Sequence, residues 1–479
     1  MQLDHDHCYA IIKSRDARYD GRFFTGVTTT GIYCRPVCPA RTPHKDHVQF
    51  FASASAAAES GFRPCLRCRP EASPGTPAWE GNSALVARAL QLIEEGVLDR
   101  GSVDDLAARQ HVSARQLRRL FREHLGASPL AVAQTRRVHF AKKLIDETAL
   151  AMTDIAYIAG FSSVRRFNAV MQSVYNQTPS DLRRARGRTT HDDGITLRLA
   201  YRAPFCWDHM VRFLADRTVN GIDEMRDGVY RRVVSAGETA GVITVRPDPQ
   251  TDALLLHVPS LLAGELIGLV EAARRLFDLR ADPAEIEATL SHDPLLAESL
   301  ARVGPGLRVP GAWDRFETGV RAIIGQQVSV AGARTTAGKL VRQFGERLPV
   351  PDDEPLRWRF PSPERLAEVD LAAAGLMPRQ RARAVQAFAR AVADGSLRLE
   401  TWPGLDDLVA HLLALPGIGP WTAHYIALRA FGEPDAFPAG DVGLRRALGG
   451  MPEAAITARA DAWRPWRAYA TVLLWIDEN

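Results

Sequence analysis

Four of the six cysteines fall in two close pairs, Cys34-x3-Cys38 and Cys65-x2-Cys68, with a longer stretch of chain between the pairs. Two such pairs joined by a loop supply four soft thiolates, the ligand set that tetrahedral zinc takes at about 2.3 Å. The same spacing would also allow two disulfides. The start of the chain, from Met1 to His7, has neither the basic region nor the apolar core of a signal peptide, so a reducing cytoplasm and a metal are expected instead. Cys8 and Cys206 have no partner at ligand spacing and read as ordinary thiols. Arg35, Arg41, Lys45, Arg63, Arg67 and Arg69 crowd the pairs, so the centre faces a basic surface. A metal-bound cysteine is already a thiolate and needs no separate base to act as a nucleophile. Four thiolates on Zn²⁺ carry a net charge of about −2, and alkylating one sulfur lowers it to about −1, which weakens repulsion from a polyanion. Chemistry at sulfur would thereby become a binding switch. A zinc hydrolase is excluded, because four thiolates leave no open position for water.

A second group lies near the C-terminus. Leu415-Pro416-Gly417-Ile418-Gly419 joins two helical patterns, and Pro438-Ala439-Gly440-Asp441 follows downstream. Such a Gly/Pro loop is either an ordinary helix-helix turn or a phosphate clip, in which backbone N–H groups at a helix start face an anion. A carboxylate close to a phosphate-gripping loop repels DNA, so Asp441 suits a catalyst better than a mere binder. A third group is cationic. Ser113-Ala114-Arg115-Gln116 has the spacing of a capping box ahead of Arg118, Arg119 and Arg122. Phe161-Ser162-Ser163 precedes a helical pattern with Arg165, Arg166 and Asn168. Helices of this kind either lie in the major groove or form a bundle with solvated arginines.

The elements that must position these groups are spread over 479 residues, enough for three or four domains. Hydrophobic content of 46% and charged content of 24% are those of ordinary globular protein. No apolar run is long enough to span a membrane. Residues 84–188 carry 17 Lys/Arg against 10 Asp/Glu, the bias of a surface that tracks phosphates. Pro/Gly-rich or polar joints are expected at 72–82 and 184–194, with a weaker break at Gly304-Pro305-Gly306. Between the two joints the helical pattern repeats: Leu106-Ala107, Leu117, Leu120 and Ser128-Pro129 recur in the same order as Ile155-Ala156, Phe167, Val170 and Thr178-Pro179. Alternation predicts a strand over Ile195–Tyr201 and further strands near 229–234, 241–246 and 253–257, with helices dominating after about residue 311. The expected fold is a multidomain α+β chain. It comprises a small zinc-bound α/β domain (1–75), an all-α double helix-turn-helix domain (83–185), a small β-sheet subdomain (195–305) and a mostly α helix-hairpin-helix domain (306–479).

Three resemblances give this layout a function. Gly31-Ile32-Tyr33-Cys34-Arg35-Pro36-Val37-Cys38-Pro39-Ala40-Arg41 with Gly61-Phe62-Arg63-Pro64-Cys65-Leu66-Arg67-Cys68 resembles the N-terminal domain of the Ada methyl-response proteins. The resemblance implies that Cys34, Cys38, Cys65 and Cys68 hold one zinc, structural and thiolate-activating. It also implies that Cys34 accepts a methyl group from a DNA methylphosphotriester, irreversibly and once per molecule. Residues 83–185 resemble an AraC-type DNA-binding domain, which also follows the methyl acceptor in Ada proteins. This implies that Arg115, Gln116, Arg118, Arg119, Ser162, Ser163, Arg165, Arg166 and Asn168 meet promoter DNA. RNA polymerase is then the partner of an activator.

Residues 195–479 resemble the AlkA (3-methyladenine DNA glycosylase II) branch of helix-hairpin-helix glycosylases. The likeness rests on the hairpin loop, Asp441, the run Arg321-Ala322-Ile323-Ile324-Gly325-Gln326-Gln327-Val328-Ser329-Val330, and Trp463-Arg464-Pro465-Trp466-Arg467-Ala468-Tyr469. It implies excision of 3-methyladenine and other N-alkylated bases from double-stranded DNA. Asp441 would be catalytic, Phe213, Trp421, Tyr425 and Trp475 would line the pocket of the flipped base, and Gly417, Gly419 and Gln327 would lie on DNA. An aromatic lining suits a cationic purine. Gln327 stands where relatives carry a leucine wedge. Trp421 occupies the place of the lysine of lyase-competent relatives, so a monofunctional enzyme is expected. Only Cys206 follows Cys68, so no iron–sulfur cluster is expected. Nothing resembles the Pro-Cys-His-Arg site of O6-methylguanine methyltransferases. The protein is expected to be a cytoplasmic monomer.

Overall fold

A computed structural model describes residues 3–74, 84–185, 194–400, 402 and 404–477. The joints expected at 72–82 and 184–194 lie largely outside the described residues. The chain separates into two compact units. One is Met1–Ala203 with Pro247–Glu271 and Leu279–Ala281; the other is Pro204–Arg246 with Ala272–Asp278 and Asp282–Asn479. Among the described residues no helix is long and apolar enough to cross a membrane.

The first unit begins with a four-stranded sheet in the order Val48–Phe51, Phe24–Val27, Ile32–Cys34, Arg63–Pro64. The first three strands pair antiparallel, and Ile32–Cys34 runs parallel to Arg63–Pro64. Helix His5–Ser14 closes one face through Cys8, Ile11 and Ile12 against Phe23 and Val48. Phe24, Tyr33 and Ala57 fill another small core. These cores are small, so four metal ligands would add stability that apolar burial cannot supply alone.

The repeat read from the sequence becomes two helix-turn-helix units. The first is Val103–Arg109 and Ala114–Leu125; the second is Met152–Ile158 and Val164–Tyr175. Leu117 and Phe167 hold equivalent places in the two units and are both fully buried, each contributing roughly 1.5–3 kcal/mol. The 19-residue helix Pro129–Glu147 stands between the units. Ser113 caps Ala114–Leu125 by accepting the Gln116 N–H at 3.2 Å, but it makes only half of the expected box. Full reciprocal boxes form at Ser102/Asp105 and Thr178/Asp181, where a short carboxylate at the third position reaches back to the cap N–H. Strands Gly194–Ala200 and Ala253–Pro259 complete this unit as an antiparallel pair.

The second unit holds the antiparallel strands Asp223–Arg226, Val229–Ala236 and Thr239–Pro247. The first of them has the polar sequence DEMR and shows no apolar alternation. Cross-strand bonds define it instead, with the Tyr230 hydroxyl donating to Asp223 at 3.0 Å. Helices follow: Arg315–Ile324, Val330–Phe344, Arg379–Ala393, Leu405–Leu413, Pro420–Ile426, Val442–Ala447 and Arg467–Asp477. Phe316 stacks flat on Phe388 with ring centroids 5.7 Å apart. A Cβ at Gly319 would come within 2.4 Å of the Phe388 ring, so only glycine lets the helices Arg315–Ile324 and Arg379–Ala393 approach this closely.

Candidate active sites and nucleic-acid interface

The four cysteines converge. Cys34 ends a strand, Cys38 follows a turn closed by its own N–H onto the Arg35 carbonyl (3.1 Å), and the Cys65 N–H donates to the Tyr33 carbonyl (3.0 Å). Their four Sγ atoms lie within 4.8 Å of one another, a cage of the right size and softness for tetrahedral zinc. The four sulfurs are not equivalent. Cys65 and Cys68 are buried, whereas Cys34 and Cys38 are half-buried. The Arg35 N–H donates to Cys68 Sγ at 3.4 Å. An N–H···S bond withdraws charge from a thiolate, so the Arg35 N–H quenches Cys68, while Cys34 is one of the two half-buried sulfurs. Arg35 is held in place by Asp20, with Nε donating at 2.8 Å.

The cysteine domain and the helix Pro129–Glu147 share a buried polar seam. The Tyr33 hydroxyl meets His139 Nε2 at 2.8 Å. Arg69 reaches Glu71 (3.1 Å) and Asp146 (3.0 Å), and Lys142 reaches Asp146 (2.6 Å). Sequence reasoning passed over this seam, because its members come from distant parts of the chain and no periodicity links them. Arg115, Gln116, Arg118, Arg119, Ser162, Arg165, Arg166 and Asn168 stand on or beside the two candidate reading helices, most of them exposed, and Ser163 is half-buried as the cap that accepts the Arg166 N–H. Both helices therefore present their polar ends to solvent while Leu117 and Phe167 anchor them.

In the second unit the hairpin Leu415–Gly419 separates Leu405–Leu413 from Pro420–Ile426. Gly417 has φ +81°, and a Cβ there would lie 2.6 Å from Ala384. A Cβ at Gly419 would meet nothing. Gly419 is the N-cap and offers no side-chain acceptor, so the first N–H groups of the next helix remain open to an anion. Asp441 caps Val442–Ala447: its Oδ1 accepts the Leu444 N–H at 3.0 Å and the Trp475 indole N–H at 2.9 Å, while Oδ2 accepts the Trp421 indole N–H at 2.8 Å. Three donors fix the carboxylate and leave part of Oδ2 free to face a charge. Trp421 stacks on Tyr425 at 5.1 Å, and Tyr425 lies 6.0 Å from Trp475. The three rings thus form one half-exposed wall beside Asp441.

Phe213 lies apart from this wall, 8% exposed, with Arg217 3.8 Å and Arg429 4.6 Å from its ring centroid. Its π system already carries two guanidiniums. Arg429, from the π-helical turn Ala427–Phe431, donates to the Tyr425 hydroxyl at 3.1 Å and to the backbone of Pro310 and Gly311. Burial lowers its pKa to about 10. Burial alone would raise the Tyr425 phenol, but Arg429, Arg217 and Arg321 outweigh it and hold the phenol below its ordinary value. The signal for Arg429 in the sequence is its four-residue step beyond Tyr425, itself four beyond Trp421. Gln327 is exposed with φ 55°.

Comparison with known proteins covers the same ground. The metal-binding domain of Ada matches residues 7–71, a helix-turn-helix domain 106–185, the AlkA N-terminal domain 196–314, and the HhH-GPD superfamily of base excision DNA repair proteins 320–457. A Mycobacterium tuberculosis protein named probable bifunctional transcriptional activator/DNA repair enzyme AlkA is 43% identical over 99% of this chain and 97% of its own length. The Escherichia coli DNA-3-methyladenine glycosylase 2 is 38% identical over 59% of this chain and 97% of its own. A 3-methyladenine DNA glycosylase from Archaeoglobus fulgidus shares the fold of the second half, with a TM-score of 0.51 at 22% identity over 59% of this chain and 97% of that one.

Proposed function

Because the chain belongs to the AlkA family of bifunctional transcriptional activators and DNA repair enzymes, we propose that it repairs alkylated DNA at two separate centres and reports the damage to promoters. The Asp441 centre excises 3-methyladenine and other N-alkylated bases as a monofunctional glycosylase. An N-alkylated purine carries positive charge, so its glycosidic bond breaks with the electron pair leaving on the base. The sugar becomes oxocarbenium-like, and the fixed Asp441 carboxylate stabilises that cation until water adds to C1′. The base is first flipped out of the stack onto the wall of Trp421, Tyr425 and Trp475, with Phe213 behind it. Gly417 and Gly419 grip the backbone, and Gln327 fills the gap in the duplex.

Cys34 is the methyl acceptor. Zinc held by Cys34, Cys38, Cys65 and Cys68 keeps the sulfurs deprotonated. Cys34 Sγ attacks the methyl carbon of a phosphotriester. The carbon–oxygen bond breaks with its pair on the phosphate oxygen, leaving a phosphodiester and S-methylcysteine. The altered charge strengthens promoter binding by Arg115, Gln116, Arg118, Arg119, Ser162, Ser163, Arg165, Arg166 and Asn168, and RNA polymerase is recruited. The working form is a cytoplasmic monomer with one zinc and no iron–sulfur cluster, divided at 1–75, 83–185, 195–305 and 306–479.

The observation that carries the glycosylase reading is the Asp441 carboxylate held by two indole N–H donors at the mouth of an aromatic wall. Release of free base from methylated duplex, compared between the native chain and Asp441→Asn, tests it. Release by the native chain alone upholds the reading. DNA binding without release from either makes the second unit a search or anchoring module.

A further inference from the structure

Two exposed loops of the second unit face solvent side by side: the stretch around Gln327 and the hairpin around Gly417. Residues 327–331 are exposed in an unbroken run, with Val328 and Val330 each 42% exposed. One side chain ties the two loops together. Gln326 Nε2 donates to the Gly417 carbonyl and to Thr422 Oγ1, each at 2.9 Å. The Gly417 oxygen can only accept, which fixes the orientation of the amide and commits its donors to these partners. The Gln326 carbonyl is held in turn by Arg381. Arg381 belongs to the helix Arg379–Ala393, which also supplies Ala384 beneath Gly417. Both loops thus rest on one helix and are cross-braced by one amide.

The residue after the brace is in the left-handed region. Gln327 has φ 55°, a conformation that a residue with a Cβ keeps only when its surroundings impose it. The bonds of the Gln326 side chain and the Arg381 bond to the Gln326 backbone carbonyl are such constraints. A polar glutamine also gains less than an apolar wedge from leaving water for the base stack. The work of prising a base pair apart must then come from a loop that does not yield.

We propose that Gln326 is a positioning residue: it locks the Gln327 loop to the phosphate-gripping hairpin, so that backbone grip and base displacement act as one rigid edge. The inference rests on the glycosylase reading above. With the loop ordered in advance, little conformational freedom is lost when the duplex is opened, and the lock acts after binding.

The test uses the full chain and the variants Gln326→Ala, Thr422→Val and Thr422→Ser. Two readouts are taken: kcat and KM for 3-methyladenine release from methylated duplex, and the fluorescence rise of 2-aminopurine placed beside a tetrahydrofuran abasic analogue. Gln326→Ala is expected to lower kcat about tenfold, equivalent to about 1.4 kcal/mol, with KM within about twofold and the fluorescence rise lost. Thr422→Val, which keeps one of the two bonds, is expected to fall about threefold. Thr422→Ser keeps the accepting oxygen and rescues. Native kcat and fluorescence in Gln326→Ala would overturn the proposal, as would a loss shared equally by KM, melting temperature and kcat. Absence of base release by the native chain would sink the glycosylase reading instead, and the fluorescence arm alone would then decide on the lock.

Discussion

The cysteine centre and the Asp441 cleft both set an anion in front of a polyanion, and they restrain it in opposite ways. At the cysteine centre the Arg35 N–H donates to the buried Cys68 Sγ, a neighbour of the half-buried Cys34. At the cleft, donors converge on the proposed reacting group, with two indoles and one backbone N–H on the single carboxylate of Asp441. A nucleophile that is consumed profits from being left bare. A carboxylate that stabilises a passing cation and is returned profits from being held still, because a fixed charge needs no reorganisation as the sugar cation develops.

The largest expected effect separates the two centres outright. Cys34→Ala should take up no methyl when incubated with methylated DNA, as read by peptide mass, whereas a methyl found on Cys38 would move the acceptor role to that sulfur. Next come the indoles. Trp475→Phe or Trp421→Phe removes one hydrogen bond to a charged acceptor, worth about 1.5–3 kcal/mol, and should slow base release about 10- to 100-fold with the fold intact by circular dichroism. An unchanged rate in both variants would mean that neither indole bond is needed to hold the carboxylate for base release.

Metal removal sharpens the contrast. Chelation should lower the melting temperature of the cysteine domain and abolish methyl uptake while base release continues at its original rate. Coupled loss of both activities would show the centres to be dependent. The smallest effect is one of pH. His424 Nδ1 accepts the Phe437 N–H at 3.3 Å on the loop leading to Asp441, and burial, helped by Arg467, holds its pKa below the ordinary 6.5. The folded protein therefore binds the His424 proton less readily than the unfolded chain. The stability from neutral His424 is complete above about pH 6.5 and fades as pH falls toward the folded value. His424→Asn should flatten the acid-side decline in melting temperature, and an identical decline would remove His424 from that account.

What the sequence made legible was whatever is periodic or closely spaced. The cysteine pairs, the duplicated helices around Leu117 and Phe167, and the alternating strands all announce themselves over short stretches. The indole clamp did not, because Trp475 and Asp441 come from different helices and an aromatic at helical spacing reads as core. The guanidinium of Arg429 on Phe213 was hidden for a related reason: the two lie far apart along the chain, and the four-residue step from Tyr425 to Arg429 does not say which other ring the guanidinium meets. The strand Asp223–Arg226 was invisible because its apolar alternation is absent and its partners define it.

The buried seam between the cysteine domain and the helix Pro129–Glu147 bears on how such a chain can be inherited. Glu71 and Asp146 side chains are 3% and 0% exposed, and Lys142 is 5% exposed, each neutralised by a residue from across the seam or along it. A recombination event that moved the cysteine domain alone onto another reader would part Arg69 from Asp146, Lys142 from Glu71 and Tyr33 from His139, contacts that the new partner would have to replace. The cysteine domain and the helix-turn-helix domain are thus expected to travel as a single unit, with shuffling between lineages breaking the chain after the second helix-turn-helix, not before the first.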